Sequence, residues 1–417
     1  MKNEHPSPLW AGRPAYASGW GSPPGRGAPV KPGNSVLSSY GTTIFETMSR
    51  QAAEHGAVNL GQGFPEGLEP PALLDRLARA AAEGPHQYPS MMGLPALRRA
   101  VAAHEARFWG LDLDPMAETM VTSGATEALA ACLFGLIEPG DEVVLIEPLY
   151  DSYLPIIRRA GGVPRLVRIA PPDWRLPLDD LAAAFGPRTK LLLLNSPTNP
   201  AGKVYGADEL AALAALLERH DAVAVCDEVY EHLVYDCGRH LPLMALPGMR
   251  ERCLKIGSAG KIFSLTGWKV GWITGCPALL APVAKAHQYL TFTTPPELQA
   301  AVAWGLEEEA GYYTGLAGVL AARRDRLAAG LAAIGFGVLP AAGSYFLTAD
   351  FRPLGFVGDD AAFCRHITTA AGVAAIPVGA FYQSADIAHF ARFCFAKTDA
   401  AIDEAVARLA RHFHRQG

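Results

Sequence analysis

Residues 253–275 read CLKIGSAGKIFSLTGWKVGWITG. Two β-rich runs, Cys253–Ile256 and Val270–Thr274, bracket a loop of small residues that carries Lys261 and, eight places on, Lys269. Small and apolar surroundings disfavour a charged ammonium, which suits a nucleophilic or Schiff-base amine. Either lysine alone would read equally well as a solvated cation, so the neighbouring segments decide. Toward the N-terminus, Val223–Cys226, Lys190–Leu194, Leu166–Ile169, Glu142–Ile146 and Thr119–Thr122 are further β-rich runs. Helical stretches such as Ala125–Leu136 and Ala207–Glu218 alternate with them. This alternation predicts an α/β fold with a mostly parallel central sheet. Ligands in such sheets sit at the carboxyl ends of the strands.

Those ends are chemically uneven. Ser123-Gly124-Ala125-Thr126 opens a helix after the first run, where free backbone N–H groups can hold an anion or simply be capped. Asn195-Ser196-Pro197-Thr198-Asn199-Pro200-Ala201-Gly202 is a rigid turn, and the proline after Asn199 keeps Asn199 extended so that its amide can be aimed. Asp227, in Cys226-Asp227-Glu228-Val229-Tyr230-Glu231, ends an apolar strand, a costly place for a carboxylate unless a cation meets it. An anion cup, an aimed amide, a buried acid with a nearby tyrosine and a reactive lysine together match the needs of pyridoxal phosphate. Gly260-Lys261 is not a P-loop, because Lys255 stands where that motif needs glycine. The glycines of Gly61-Gln62-Gly63-Phe64-Pro65-Glu66-Gly67 miss the dinucleotide fingerprint by one place.

Composition excludes several classes. The 417 residues carry 36 Lys and Arg against 41 Asp and Glu, so no basic excess exists to neutralise nucleic acid. Half the residues are hydrophobic and 18% are charged, as in a folded protein with room for two or three domains. Apolar stretches such as Ala128–Leu133 fall far short of the ~20 residues of a membrane span. Seven cysteines are scattered without a C-x-x-C pair, which argues against a disulfide framework or zinc ribbon and for a reducing, cytoplasmic setting. No metal site is expected, since Glu231-His232 has no second histidine at ligand spacing. No secretory pattern marks the start.

Residues 1–35 read as a flexible arm, with 13 of the first 33 being Gly or Pro. Beyond Pro295 the texture becomes α+β: a long helical stretch Glu297–Ile334, helices near Asp359–Ala371 and Asp399–His412, and strands near Val373–Pro377 and Phe390–Ala396. An amphipathic run, Ile44–His55, precedes the sheet.

From about Thr42 onward the chain resembles the fold-type I, class I/II aminotransferases, with closest likeness to the methionine aminotransferase and kynurenine (glutamine) transaminase branch. The likeness rests on Ser258-x-x-Lys261-x5-Gly267-x-Lys269-x-Gly271, Asn195-x-Pro197-x-Asn199-Pro200-x-Gly202 and Asp227-Glu228-Val229-Tyr230. Thr43-Ile44-Phe45, Asn59-Leu60-Gly61-Gln62-Gly63-Phe64-Pro65 and His287-Gln288-Tyr289-Leu290-Thr291-Phe292 resemble this branch in particular. The resemblance implies a large cofactor-binding domain over 61–290 and a smaller α+β domain formed by 36–60 and 291–417. It implies that Lys261 bonds pyridoxal phosphate and shuttles the Cα proton. Asp227 would hold the pyridine nitrogen protonated, and Tyr230 and Asn199 would bond the ring oxygen. Tyr150 would stack on the ring. Gly124, Ala125, Thr126, Ser258 and Lys269 would bind the phosphate, with Tyr88 reaching that of the neighbouring subunit. Arg392 would fork the substrate α-carboxylate, assisted by Asn199 and the Gly63 backbone, and Ile44, Tyr150 and a partner-lent Phe292 would wall an apolar pocket.

A homodimer follows from the resemblance alone. Many members carry Arg where Lys269 stands, and no arginine is placed to read a distal carboxylate as in aspartate enzymes. The expected activity is transfer of an amino group from methionine, an aromatic residue, glutamine or kynurenine to a 2-oxo acid by a ping-pong route. A C–S β-lyase on cysteine conjugates is the nearest alternative. A cofactor-loaded sensor would need a DNA-binding module that the short arm does not supply.

Overall fold

The computed structural model describes residues 31–414 apart from Cys237 and Ala385. Most of the expected arm, residues 1–30, and the thiol at Cys237 therefore lie outside the described residues. Among the described residues thirteen strands follow one another: β1 (Val58–Asn59), β2 (Thr119–Thr122), β3 (Glu142–Glu147), β4 (Val163–Arg168), β5 (Thr189–Asn195), β6 (Val223–Asp227), β7 (Cys253–Ser258), β8 (Gly271–Gly275), β9 (Gly337–Val338), β10 (Phe346–Asp350), β11 (Val373–Ala374), β12 (Ile376–Pro377) and β13 (Phe390–Cys394). Seven of them form the central sheet in the order β2-β8-β7-β6-β5-β3-β4. All its pairs are parallel except those of β8, which runs antiparallel to both β2 and β7.

Strict alternation explains why both faces are covered. Val143, Leu145, Leu191, Leu193, Val225 and Leu254 point into one apolar cluster, while Val144, Leu192, Leu194, Ala224 and Cys253 point into another. Helices Gly124–Leu136 and Pro277–Leu290 cover the first face through Leu129, Leu133, Leu280 and Val283. They touch closely: a Cβ on Gly135 would lie 2.8 Å from the Val283 Cα. Helix Ala207–Arg219 covers the other face with Leu210, Leu213 and Leu217. β4 lies at the sheet edge, and Val163 and Leu166, on its opposite faces, stay exposed there.

The second sheet, ordered β12-β13-β10-β9, holds the C-terminal strands, with β13 central rather than at an edge. β1 pairs with β11 in parallel, Val58 opposite Val373, which ties the segment after helix Ile44–Glu54 to the C-terminal part of the chain. Two expectations change in detail. The stretch Glu297–Ile334 is two helices, Pro296–Glu308 and Ala310–Ile334, because Glu309 leaves the helical region and redirects the chain. The first helix then buries Ala301, Val302 and Leu306 with Leu73, Leu97 and Trp272; the second buries Leu320, Leu327 and Leu331 in the larger cluster. Val373–Pro377 is two short strands, one in each small sheet, parted at Ala375. Among the described residues no helix is long and apolar enough to cross a membrane.

Candidate active site

A cavity of about 460 Å³ opens at the carboxyl ends of β5, β6 and β7, between the two larger sheets. β6 delivers Asp227 to its floor. Asp227 is 5% exposed; its Oδ2 accepts a 2.6 Å bond from the Tyr153 hydroxyl, and its Oδ1 is buried without a partner. Burial raises its pKa. The turn after β5 is anchored to the same point: Asn195 Nδ2 donates to the Asp227 carbonyl, and Asn195 Oδ1 accepts from the Asn199 backbone N–H.

β7 ends at Ser258, and one turn of helix, Ala259–Ile262, lifts Lys261 into the cavity. Lys261 Nζ donates to the Tyr345 hydroxyl at 2.8 Å and lies 5.6 Å from the Tyr230 ring centroid. Desolvation pushes its pKa down to about 8, against the opposing pull of Asp227. Burial also pushes the Tyr230 phenol up.

The third wall is built for an anion. Helix Gly124–Leu136 points its N-terminus at the cavity, with Gly124, Ala125 and Thr126 on the wall. Gly124 has φ +79°, and a Cβ there would sit 3.3 Å from the Lys269 Nζ. Gly271 must also be glycine, since its Cβ would meet the Gly124 carbonyl carbon at 2.8 Å. Ser258 lines the same region.

Opposite stands Arg392 from β13, 1% exposed. Its Nη1 donates to Asn199 Oδ1 at 2.8 Å, its Nη2 to the Gly61 carbonyl at 2.6 Å, and its Nε is buried without a partner. The guanidinium carbon lies 3.9 Å from the Phe346 ring centroid, with Phe45 and Phe381 at 5.1 and 5.2 Å. Burial lowers its pKa to about 10, so it remains a cation at neutral pH.

The structure thus gathers Lys261, Asp227, Tyr230, Asn199, Gly124, Ala125, Thr126, Tyr150, Ser258, Lys269, Gly63 and Arg392 on one cavity. One expected residue, Ile44, stands elsewhere. Ile44 packs against the large apolar cluster, and its neighbour Phe45 takes the place on the cavity wall. Tyr88 and Phe292, expected to serve a neighbouring subunit's site, lie outside this cavity and pack edge to face on each other, with Tyr88 81% exposed. Sequence reasoning missed Tyr153 and Tyr345, whose partners Asp227 and Lys261 are 74 and 84 residues away. Only the Tyr150-x-x-Tyr153 spacing beside an expected stacking ring offered a signal for the former.

The donor set fits pyridoxal phosphate. The orphaned Asp227 Oδ1 suits a protonated ring nitrogen, the helix N-terminus with Lys269 suits a phosphate, and the lowered amine of Lys261 suits an aldehyde carbon. Residues 55–409 match the family model "Aminotransferase class I and II". The solved N-succinyldiaminopimelate aminotransferase of Mycobacterium tuberculosis is similar with a TM-score of 0.89 and 48% identity, over 91% of this chain and all of that one. The methionine aminotransferase of Escherichia coli is 39% identical over 90% of this chain and 97% of its own length. Kynurenine–oxoglutarate transaminase 1 of Mus musculus is 38% identical over 87% of this chain and 93% of its own. The strand-end chemistry and these likenesses agree that the chain belongs to the class I and II aminotransferases, as a pyridoxal-phosphate-dependent transaminase of the fold-type I architecture.

Proposed function

We propose that this cavity transfers the amino group of an L-amino acid with an uncharged, apolar or aromatic side chain, methionine foremost, to a 2-oxo acid. One observation carries the reading. Among the described residues the cavity's cations are Lys261, Lys269 and Arg392, and each has a task before the side-chain end is reached. What remains there is Phe45, Phe346 and Tyr150, with Glu46 and Asp151 at hand to repel a distal carboxylate. Such apolar walls discriminate weakly per methylene, so a broad donor range is expected.

The residues divide the work. Pyridoxal phosphate, when bound, supplies a carbonyl that takes up amines and a cationic ring that accepts the electron pair left at the substrate Cα. Asp227 would hold the ring-nitrogen proton through its free Oδ1, with Tyr153 fixing the carboxylate by its other oxygen. Tyr230 and Asn199 would hold the ring oxygen, Tyr150 would lie against the ring, and Gly124, Ala125, Thr126, Ser258 and Lys269 would hold the phosphate. Arg392 takes the α-carboxylate with the N–H groups that Asn199 and Gly61 leave over. Lys261 Nζ, as the free amine, removes the Cα proton.

A homodimer completes this reading. Tyr88, Tyr289, Leu290 and Phe292 are all exposed, and apolar groups of this size suit a partner's surface. A cytoplasmic setting suits the six described cysteines, all buried free thiols. A second reading, N-succinyldiaminopimelate as donor, is favoured by the 48% identity to the mycobacterial enzyme. Steady-state kcat/KM for methionine, phenylalanine, kynurenine, glutamine and N-succinyl-LL-2,6-diaminopimelate with 2-oxoglutarate separates the two. A succinylated donor preferred over methionine by tenfold or more would displace the first reading. Pyruvate release from a cysteine conjugate without any added 2-oxo acid would establish β-lyase activity instead.

A further inference from the structure

Tyr345 belongs to none of the expected cofactor contacts, yet it touches the lysine on which the chemistry turns. It precedes β10 and is fully buried. Its hydroxyl donates to the Gly63 carbonyl at 2.7 Å and accepts from Lys261 Nζ at 2.8 Å, and the Tyr230 hydroxyl is a third polar neighbour. A carbonyl has no proton to give, so the single phenolic proton is committed to Gly63. Toward Lys261 the phenol can therefore only accept. The amine must spend an N–H on it, and a free amine then has its lone pair turned to another direction. Lys261 itself lines the cavity.

The arrangement is held from both sides. Gly63 is wedged against the neighbouring ring, since a Cβ there would lie 2.6 Å from Phe346 Cζ. The Tyr230 and Tyr345 rings meet edge to face with centroids 5.1 Å apart. The other groups that act on the Lys261 amine are Asp227 from β6, Cys394 and Arg392 from β13, and Lys269 from the loop before β8.

We propose that Tyr345 is a positioning residue of the reaction: its hydroxyl, locked to the Gly63 carbonyl, holds one Lys261 N–H and so aims the lone pair of the amine at the cofactor carbonyl and the substrate Cα. The inference rests on Lys261 being the base, as read above. An ammonium donates more strongly than an amine, so the same contact also favours the protonated form. Removing the hydroxyl then has two separable effects, a more acidic amine and a less well aimed one.

The test is Tyr345→Phe, alongside Tyr235→Phe as a matched control. Tyr235 likewise donates a buried hydroxyl to a carbonyl, that of Ser344 just before Tyr345, at 2.6 Å, without a bond to Lys261. The full chain is freed of cofactor, and the rate of pyridoxal phosphate capture is followed from pH 6 to 10 by its absorbance. Single-turnover reaction of the reloaded enzyme with L-methionine is followed over the same range. The expected result for Tyr345→Phe is a capture midpoint about one pH unit lower and a high-pH plateau about tenfold lower, the size of one charge-assisted hydrogen bond. The single-turnover rate falls by a similar factor, with the KM for methionine little changed. Tyr235→Phe keeps the wild-type midpoint and plateau. Should Tyr345→Phe fail to fold, 3-fluorotyrosine at position 345 preserves the shape while weakening the acceptor, and a lower midpoint is again expected. An unchanged midpoint and plateau in the folded variant, or the same shift in Tyr235→Phe, overturns the proposal. Lys261→Ala separates the two readings: activity retained there removes the base itself, whereas activity lost there with Tyr345→Phe unaffected removes only the role of Tyr345.

Discussion

Replacing Arg392 by lysine tests whether the α-carboxylate grip depends on a fork or only on a charge. The guanidinium has five N–H groups. Two are bound by Asn199 Oδ1 and the Gly61 carbonyl, which leaves enough for a two-pronged bond to a carboxylate. A lysine brings three donors; with the same two acceptors satisfied, one is left. The variant thus loses one charge-assisted bond of about 2 kcal/mol, together with the flat cation packed on Phe346. That corresponds to a fall of roughly 30-fold in kcat/KM. Because every donor and acceptor carries an α-carboxylate, the fall should be alike for methionine and for 2-oxoglutarate. The cofactor's visible band should be unchanged, since Arg392 stands across the cavity from the phosphate wall. Steady-state kinetics with both substrates, beside the absorbance spectrum, are the assay. A kcat/KM within threefold of wild type, or a loss confined to one substrate, would refute the fork.

Lys261→Ala should abolish transamination and leave weak, non-covalent cofactor binding, visible as a shifted absorption band. Burial places the Lys261 amine near pH 8 rather than in the ordinary lysine range, so cofactor capture by the apo chain should rise with pH through about 8; a midpoint above 10 would contradict the desolvated site. Tyr153→Phe leaves Asp227 with one fewer donor, which favours its neutral form, and should lower kcat about tenfold with little effect on KM. Lys255 lies fully buried between Glu105 and Glu231 at 2.7 and 2.5 Å, so Lys255→Met strands two carboxylates and should destabilise the fold by about 3–5 kcal/mol in urea unfolding. In the same triad burial would raise Glu105, but Lys255 and His104 outweigh it and hold it down at about 2. Its contribution to stability is thus present above about pH 4.5 and lost as the pH falls toward 2, which acid unfolding of wild type against Glu105→Gln would register.

Much of the site was legible because the strand-end rule tells a reader where to look. Asp227, Lys261 and the Asn199 turn each follow an apolar run that the alternation pattern marks as a strand, and a charged or amide group there stands out against it. Arg392 was legible only by resemblance: four apolar or small neighbours in β13 hide whether it faces solvent or core, and its fully buried state depends on β10 and β12 flanking it. Ile44 and Phe45 show the limit of reading a helix without its partner surface. One residue is a turn of about 100°, enough to exchange cavity wall for core. The two tyrosines were illegible for a different reason. A phenol's role is fixed by what its oxygen reaches, and Tyr345 reaches residues 84 and 282 positions away.

That last distance has a structural consequence. Arg392 leans on the Gly61 carbonyl, and Lys261, through Tyr345, leans on the Gly63 carbonyl. The group proposed to bind the substrate carboxylate and the group proposed to take its proton are thus referenced to one short segment. That segment is not a free loop. Asn59 Oδ1 accepts from the N–H groups of Gly61 and Gln62 at 3.0 Å each, and the Leu60 carbonyl accepts from Cys394 N at 2.6 Å. β1 just before it pairs with β11. Asn199 joins the frame from the opposite side, since its amide oxygen meets Arg392 while its backbone is pinned by Asn195 to the end of β6. A substitution at Gly63 would therefore do more than crowd Phe346: it would shift the Tyr345 acceptor and the Arg392 strut together. The proposed activity needs the segment around residues 61–63, the central sheet and the C-terminal sheet folded against one another, because no one of them carries both Arg392 and Lys261 with their struts.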